Sequence, residues 1–514
     1  MATEPTSNYW LDIAAEDINK RYPEGEIVVS SGISPSASYH IGHFREVMTN
    51  EAMAWALRQR GRTVRHIHVV DNFDPLRTWY DFLPPAKQDY AGWPVALIPD
   101  PEGDCHASYA DHFYSLFEIS FEPMGLTGAT FEIIKSYEDL YKPGHMNRYI
   151  EKALEQTPKI KTIFKQLVNR DLSEDWSPVL VLDETGRFVK GDIATWDRDA
   201  KTMNGHPYEN GLAKLDWRLD WPARWVYLGV NVESFGAQEH GAAGGSYQTG
   251  AEFVKQIFGG QPPYGEVRYG HIHRLGENLK MSSSKGNVIT PTDALEIMPA
   301  EVFRYFMVRS RPERKLYFDS GLGLFNLIDE FAAAQADPHH EFRDAYEFAV
   351  AGKTERVISR VSFKHLVQVY QAAQGDIEGT LQTLERTGYE AAVKVEKAII
   401  TEELKFVHNW LKKHAPEAVR FSVQQKLPEV NLNETQTAFL SQLADAVKEY
   451  EAELDGKAMH VLIYAAAEKT EIGPKDGFSA LYRVILNKDY GPKAGWFLAS
   501  LDRDWLVKRL KLEE

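Results

Sequence analysis

The stretch EIVVSSGISPSASYHIGHFR, residues 26–45, decides the fold. Its opening, Glu26 to Val29, is mostly apolar and β-branched and reads as a buried strand. From Ile41 to Arg60 the composition turns to Ala, Met, Leu, Glu and Arg, a helical pattern that Gly61 ends. Between the two, Gly32, Pro35 and the serines 31, 34, 36 and 38 suit a tight loop. His40 and His43 stand three apart at the helix start, so both rings can lie on one face. A helix N-terminus offers N–H groups without intrahelical partners and the positive end of the dipole, which favours an anion such as phosphate.

A second β-rich run, Thr63 to Val70, follows the helix and ends at Asp71-Asn72-Phe73-Asp74. Strand, loop, helix and strand make a βαβ unit with parallel strands. Ligands of such sheets bind at the carboxyl ends of the strands, which puts the Gly32–Tyr39 loop and Asp71–Asp74 on one rim. From Trp79 to Leu215 this rhythm breaks, and the segment reads as an insertion. It carries a helical stretch from His145 to Val168 and a hairpin of Val179–Leu182 with Arg187–Val189. The sheet is expected to resume at Trp225–Val230. A glycine-rich loop over residues 234–246 and a β-rich run from Glu266 to His273 come next. They lead to KMSSSKGN, residues 280–287, whose lysines and Ser282, Ser283 and Ser284 suit phosphate oxygens. After Pro291 the pattern is helical to the end, with no strand expected.

The chain has 514 residues, enough for several domains, with 43% hydrophobic and 26% charged residues, as in ordinary soluble proteins. No apolar run is long enough to span a membrane, and the N-terminus lacks a signal-peptide core, so a cytoplasmic location is expected. A net charge of -16 argues against non-specific coating of nucleic acid but leaves room for a partner docked on a local basic face. The single cysteine, Cys105, excludes both an internal disulfide and a cysteine-based zinc site.

The order HIGH then KMSSSK on a parallel α/β domain resembles the class I aminoacyl-tRNA synthetases. WRLDWPARW (217–225), EHGAAGGSYQTG (239–250) and the tail ALYRVILNKDYGPKAGWFLASL (480–501) are similar to the class I lysyl-tRNA synthetase family in particular. The resemblance implies a Rossmann-type catalytic domain split by an insertion, then an all-α anticodon-binding domain. The boundaries expected are 1–78 and 216–290 for the catalytic halves, 79–215 for the insertion, 291–350 for a helical connector and 351–514 for the anticodon domain. It further implies ATP with Mg²⁺, L-lysine and tRNA(Lys) as substrates and partners, and no membrane. His40, His43, Lys280 and Lys285 would be catalytic, with Gly42 and Ser282 to Ser284 on ATP. Gly32, Ser34, Asp71, Trp221, His240 and Tyr269 would line the amino-acid pocket, and Asp74 would bind substrate or simply shape the rim. Relatives carry zinc cysteines in the insertion that this chain lacks, so no zinc or other resident metal is expected. The loop reads Gln238-Glu239-His240 where relatives tend to have Lys-Asp-His, which leaves a role for Glu239 open. A glutamate-specific class I enzyme and a non-catalytic tRNA-binding paralogue are the alternatives.

Overall fold

The computed structural model describes residues 9–238, 240–275, 288–351, 353–452 and 454–513. The first unit is built from α1 (Trp10–Arg21), β1 (Ile27–Ile33), α2 (Ile41–Gln59), β2 (Val64–Val70), α3 (Tyr109–Glu118) and β3 (Phe131–Lys135). There follow α4 (Asn147–Glu155), α5 (Thr157–Val168), β4 (Trp176–Leu182), β5 (Phe188–Asp192), β6 (Thr202–Met203), β7 (His206–Pro207) and β8 (Ala213–Leu215). Then come α6 (Trp217–Leu228), β9 (Val232–Glu233), β10 (Phe235–Gly236), α7 (Ser246–Phe253), β11 (Arg268–Tyr269) and β12 (Ile272–Arg274).

The central sheet has the order β3-β2-β1-β9 and is parallel throughout. β1 and β2 pair from Ile27↔Val64 to Ile33↔Val70. The strand therefore runs through Ser30–Ile33, which local composition assigns to the loop. Ladder pairing with β2 outweighs the weak strand preference of Ser and Gly. Beneath this end of the sheet the Ser31 hydroxyl lies 2.9 Å from both His66 Nε2 and His68 Nδ1, and His66 Nδ1 lies 2.8 Å from Glu51. Ser31, His66 and His68 are fully buried, so this relay anchors the strand ends rather than meeting a substrate. Burial lowers the His68 pKa to about 3, so its ring is neutral. Helix α2 sits inside the unit, buried on most of its surface, polar Arg45, Thr49, Asn50 and Glu51 included.

Of residues 79–215, expected as an insertion, β3 belongs to the central sheet, whereas the part after α5 forms a separate three-stranded antiparallel sheet, β5-β4-β8, with the β6-β7 ribbon beside it. The hairpin expectation fits this arrangement. The expectation of a strand at Trp225–Val230 is overturned. Asp216 caps α6 by accepting from the Arg218 N–H, and the helix runs to Leu228, with Gly229 in the left-handed region at its end. A strand also follows Pro291: after α8 (Pro291–Leu295) and α9 (Ala300–Val308), β13 (Leu316–Phe318) pairs in parallel with β12.

The chain divides into two units, one of residues 1–295, 303–318 and 347–349 and the other of the remainder. In the second unit the described elements are helical. They include α10 (Gly323–Ala336), α11 (Arg343–Val350), α12 (Phe363–Ala372), α13 (Ile377–Leu384) and α14 (Glu390–Lys413). After these come α15 (Glu434–Glu449), α16 (Gly456–Lys469), α17 (Pro474–Leu486), α18 (Ala494–Ser500) and α19 (Arg503–Leu510). Phe439, Leu443, Met459, Leu481, Ile485 and Phe497 are at its core. None of the described helices is long and apolar enough to cross a membrane.

Candidate active site

The N-terminus of α2 is built by its own histidines. His40 Nδ1 accepts from the Gly42 N–H at 3.0 Å, and His43 Nδ1 accepts from the His40 N–H at 3.1 Å. The two rings lie 4.0 Å apart. A Cβ at Gly42 would stand 2.6 Å from the His40 ring, so only glycine lets that ring fold back on the helix end. The Ile41 N–H donates to the Ile289 carbonyl at 2.9 Å. The chain just past KMSSSKGN is thereby fixed to the start of the HIGH helix. Lys280, Ser282, Ser283, Ser284 and Lys285 themselves lie outside the described residues, as does Glu239.

Beside this turn, at the carboxyl ends of β1 and β2, opens a cavity of about 740 Å³. Gly32, Ser34, Asp71, Asp74, Trp221 and His240 all line it. Tyr269 reaches it through its hydroxyl, which donates to Glu46. His40, Gly42 and His43 are not among the lining residues. The loop thus serves the cavity with its first half and the helix end with its second.

Five carboxyl groups, Glu46, Asp71, Asp74, Asp216 and Glu233, line the cavity against the cations Arg77, Lys214 and Arg224, and sequence reasoning named only Asp71 and Asp74 among them. Glu46 accepts from the Gly32 N–H at 2.8 Å as well as from Tyr269. Burial raises its pKa to about 7. Buried Glu233 accepts from the indole N–H groups of Trp221, at 3.0 Å, and of Trp225, and burial raises it too. The His240 ring lies 5.3 Å from that of Trp221 and 6.0 Å from that of Trp217. Trp217, 45% exposed, forms the outer edge.

The wall between these groups is a buried ion network. Lys214 of β8 lies 2.9 Å from Asp71 and 3.4 Å from Asp220 and also bonds Asp74. Arg224 of α6 lies 2.9 Å from Asp71 and 3.3 Å from Asp220. Ser34 donates to Asp74 at 2.8 Å. Burial alone would raise Asp71, but Arg224 and Lys214 hold it well below the ordinary carboxylate range. Asp74 is pushed up by burial and by the neighbouring Asp71 charge. Asp71 is thus held by two internal cations, whereas Asp74 shares Lys214 and also meets Ser34 at the more open rim.

A sequence model of the family described as tRNA synthetases class I (K) matches residues 8–353. The chain belongs to that family. The lysine–tRNA ligase 1 of Methanosarcina acetivorans is 36% identical over 98% of this chain and 98% of that protein. The lysine–tRNA ligase of Archaeoglobus fulgidus is 36% identical over 98% of this chain and 99% of that one. For the Thermococcus kodakarensis enzyme the identity is 35%, with 98% and 99% covered.

Residues 100–112 bring four potential metal donors together. Asp100, Cys105, His106 and His112 bring one donor atom each to within 4.8 Å of one another. Cys105 Sγ lies 2.9 Å from Asp100, 3.0 Å from His106 Nδ1 and 3.4 Å from His112 Nδ1. Tetrahedral zinc with such ligands needs donor separations of about 3.2–3.6 Å, so the set fits with a small opening. Elemental analysis of the purified protein tests whether the four donors hold zinc. His112→Ala should lose it, and a metal-free wild type would leave the four groups as mere hydrogen-bond partners.

Proposed function

We propose that the protein is a lysine–tRNA ligase. It activates L-lysine with ATP to lysyl-adenylate and then transfers the lysyl group to the 3′ end of tRNA(Lys). The observation that carries this is the Glu46 carboxylate, held by Gly32 and Tyr269 in an aromatic cavity beside the His40–Gly42–His43 turn. An ammonium on an apolar stem fits there: Trp221 and His240 flank the stem, and Glu46 receives the ε-ammonium by a charge-assisted bond. Ser34 and Asp74 are placed to meet the α-ammonium. A glutamate pocket would need a cation facing the side chain. Lys214 and Arg224, the buried cations in the lining, are each bound to carboxylates, and Arg77 is exposed.

In the first step the lysine carboxylate attacks the α-phosphorus of ATP, and pyrophosphate leaves. In the second the terminal ribose hydroxyl of the tRNA attacks the lysyl carbonyl, and AMP leaves. The protein positions the reactants and stabilises charge rather than supplying a nucleophile. His40 and His43, with Gly42 giving the backbone room, contact the ATP phosphates at the dipole end of α2. Lys280 and Lys285 close over the pyrophosphate, and Ser282 to Ser284 add donors. Mg²⁺ enters with ATP, and the reaction belongs to the cytoplasm, where tRNA is charged.

Amino-acid-dependent exchange of pyrophosphate into ATP, with tRNA supplied, tests the reading. Activity with lysine and none with glutamate is expected, and the reverse result would overturn it. In the same assay His43→Ala should lower the exchange rate about 10²–10³-fold while lysine affinity holds. Ser34→Val should weaken lysine binding instead. Equal losses in both parameters would refute that division of the loop.

A further inference from the structure

The helical unit contains a second cavity, of about 780 Å³. His365 and Gln368 of α12 line it and, three residues apart, share one face of the helix. Gln371, one turn further on, is fully engaged: its carboxamide accepts from the Phe421 N–H at 2.9 Å and donates to the Val367 and Val419 carbonyls. By contrast, Nε2 of Gln368 and Nε2 of His365 are both buried with no hydrogen-bond partner among the described residues. Buried polar groups are normally paired, and two unpaired ones lining one cavity call for a ligand with polar edges. Burial holds the His365 pKa at about 4, so that ring is neutral and not an anion site.

The cavity walls are aromatic. The Tyr389 and Trp496 rings stand 5.0 and 6.1 Å from the His365 ring. Trp496 is seated on the backbone of α16 at Gly456, where a methyl group would collide with the indole. The platform is therefore fixed before any ligand arrives. Lys364 and Lys493 are exposed at the rim. A flat π face, unpaired polar groups and two cations together match a nucleobase with its flanking phosphates.

We propose that this cavity takes one unstacked base of the tRNA anticodon, with Trp496 as its stacking surface and Gln368 reading its edge. The inference rests on the reading of the protein as a tRNA ligase. The acceptor and donor of a carboxamide lie side by side, as do the N3–H and O4 of uracil, the base at the second and third positions of anticodons that read lysine codons. Lys364 and Lys493 hold the phosphates on either side.

The test uses full-length Trp496→Leu and Gln368→Leu, with lysine binding by calorimetry as the control for the first unit. Trp496→Leu should raise Kd and KM for tRNA(Lys) about 5- to 150-fold, the range seen for loss of one base stack, with kcat at saturating tRNA and lysine affinity unchanged. Among tRNAs with single anticodon substitutions, one position should lose its penalty in Gln368→Leu. Unchanged tRNA affinity in both variants, or anticodon penalties identical to wild type, would overturn the proposal. If Trp496→Leu fails to fold, Gln368→Leu decides alone. A wild type that binds tRNA but attaches no lysine sinks the ligase reading, and filter-binding affinities then still decide the cavity.

Discussion

Glu46→Gln is expected to cut kcat/KM for lysine about 10²–10³-fold, mainly through KM. Removing one partner of a buried, hydrogen-bonded charge pair costs about 2–5 kcal/mol. The carboxamide oxygen can still accept from the Gly32 N–H, and the Tyr269 hydroxyl keeps a polar neighbour, so the shape of the cavity survives and the charge alone is lost. The pH dependence supplies a second signature. Burial raises the Glu46 pKa to about 7, so below that pH the carboxyl is protonated when the cavity is empty. A lysine ammonium pairs with the ionised form, and binding must then displace a proton. Lysine affinity should fall tenfold per pH unit below about 7 and level off above it, with proton release on binding. The Gln variant should show neither slope nor release. Calorimetric titration from about pH 5.5 to 8.5 reads both. A flat wild-type profile, or an unchanged KM in the variant, would place the ε-ammonium elsewhere.

The parts legible in sequence are those where local pattern and tertiary pairing agree. β1, α2 and β2 follow from a β-branched run, a helical composition and a second β-branched run, and the structure places them as a parallel βαβ unit. The helix at Trp217–Leu228 was hidden because a short apolar run such as Trp225–Val230 has no periodicity to separate strand from helix. The missed signal was the spacing of Trp217, Trp221 and Trp225. Steps of four put all three indoles on one helical face, the face that lines the cavity. Glu46 was hidden for another reason. A glutamate in a helix ordinarily reads as a solvated side chain, and only the three-residue step from His43 marks it as facing the same side. Lys214 and Arg224 went unremarked because, apart from Asp220, their partners lie far off in sequence, Asp71 for both and Asp74 for Lys214. Long-range pairing of this sort leaves no local trace.

Lys214→Met should destabilise the first unit by about 3–5 kcal/mol, the usual cost of stranding buried charge. Lys214 is 1% exposed and meets Asp71, Asp74 and Asp220 at once. Methionine fills the space of the stem but leaves three carboxylates facing Arg224 alone. The deficit should depend on pH in a defined direction. Asp74 is already raised above its ordinary value by burial and by Asp71, so it is the carboxyl best placed to take up a proton once the lysine is gone. A group with a raised folded-state pKa binds its proton more tightly folded than unfolded, so protonation stabilises the fold as pH falls through the raised value. The gap between wild type and variant in urea unfolding should therefore narrow from pH 8 towards pH 5. Lys214→Met combined with Asp74→Asn removes one charge of each sign and should recover much of the loss at neutral pH, a coupling expected of groups in contact. A gap that stays constant with pH, with a double variant no better than the single, would mean that Lys214 acts through packing. The distinction bears on catalysis. The network joins β8 of the insertion, the Asp71–Asp74 turn after β2 and α6, which are three of the elements that wall the cavity. If charge holds them together, the acidic rim proposed to meet the substrate and the clamp that stabilises the fold are one structure.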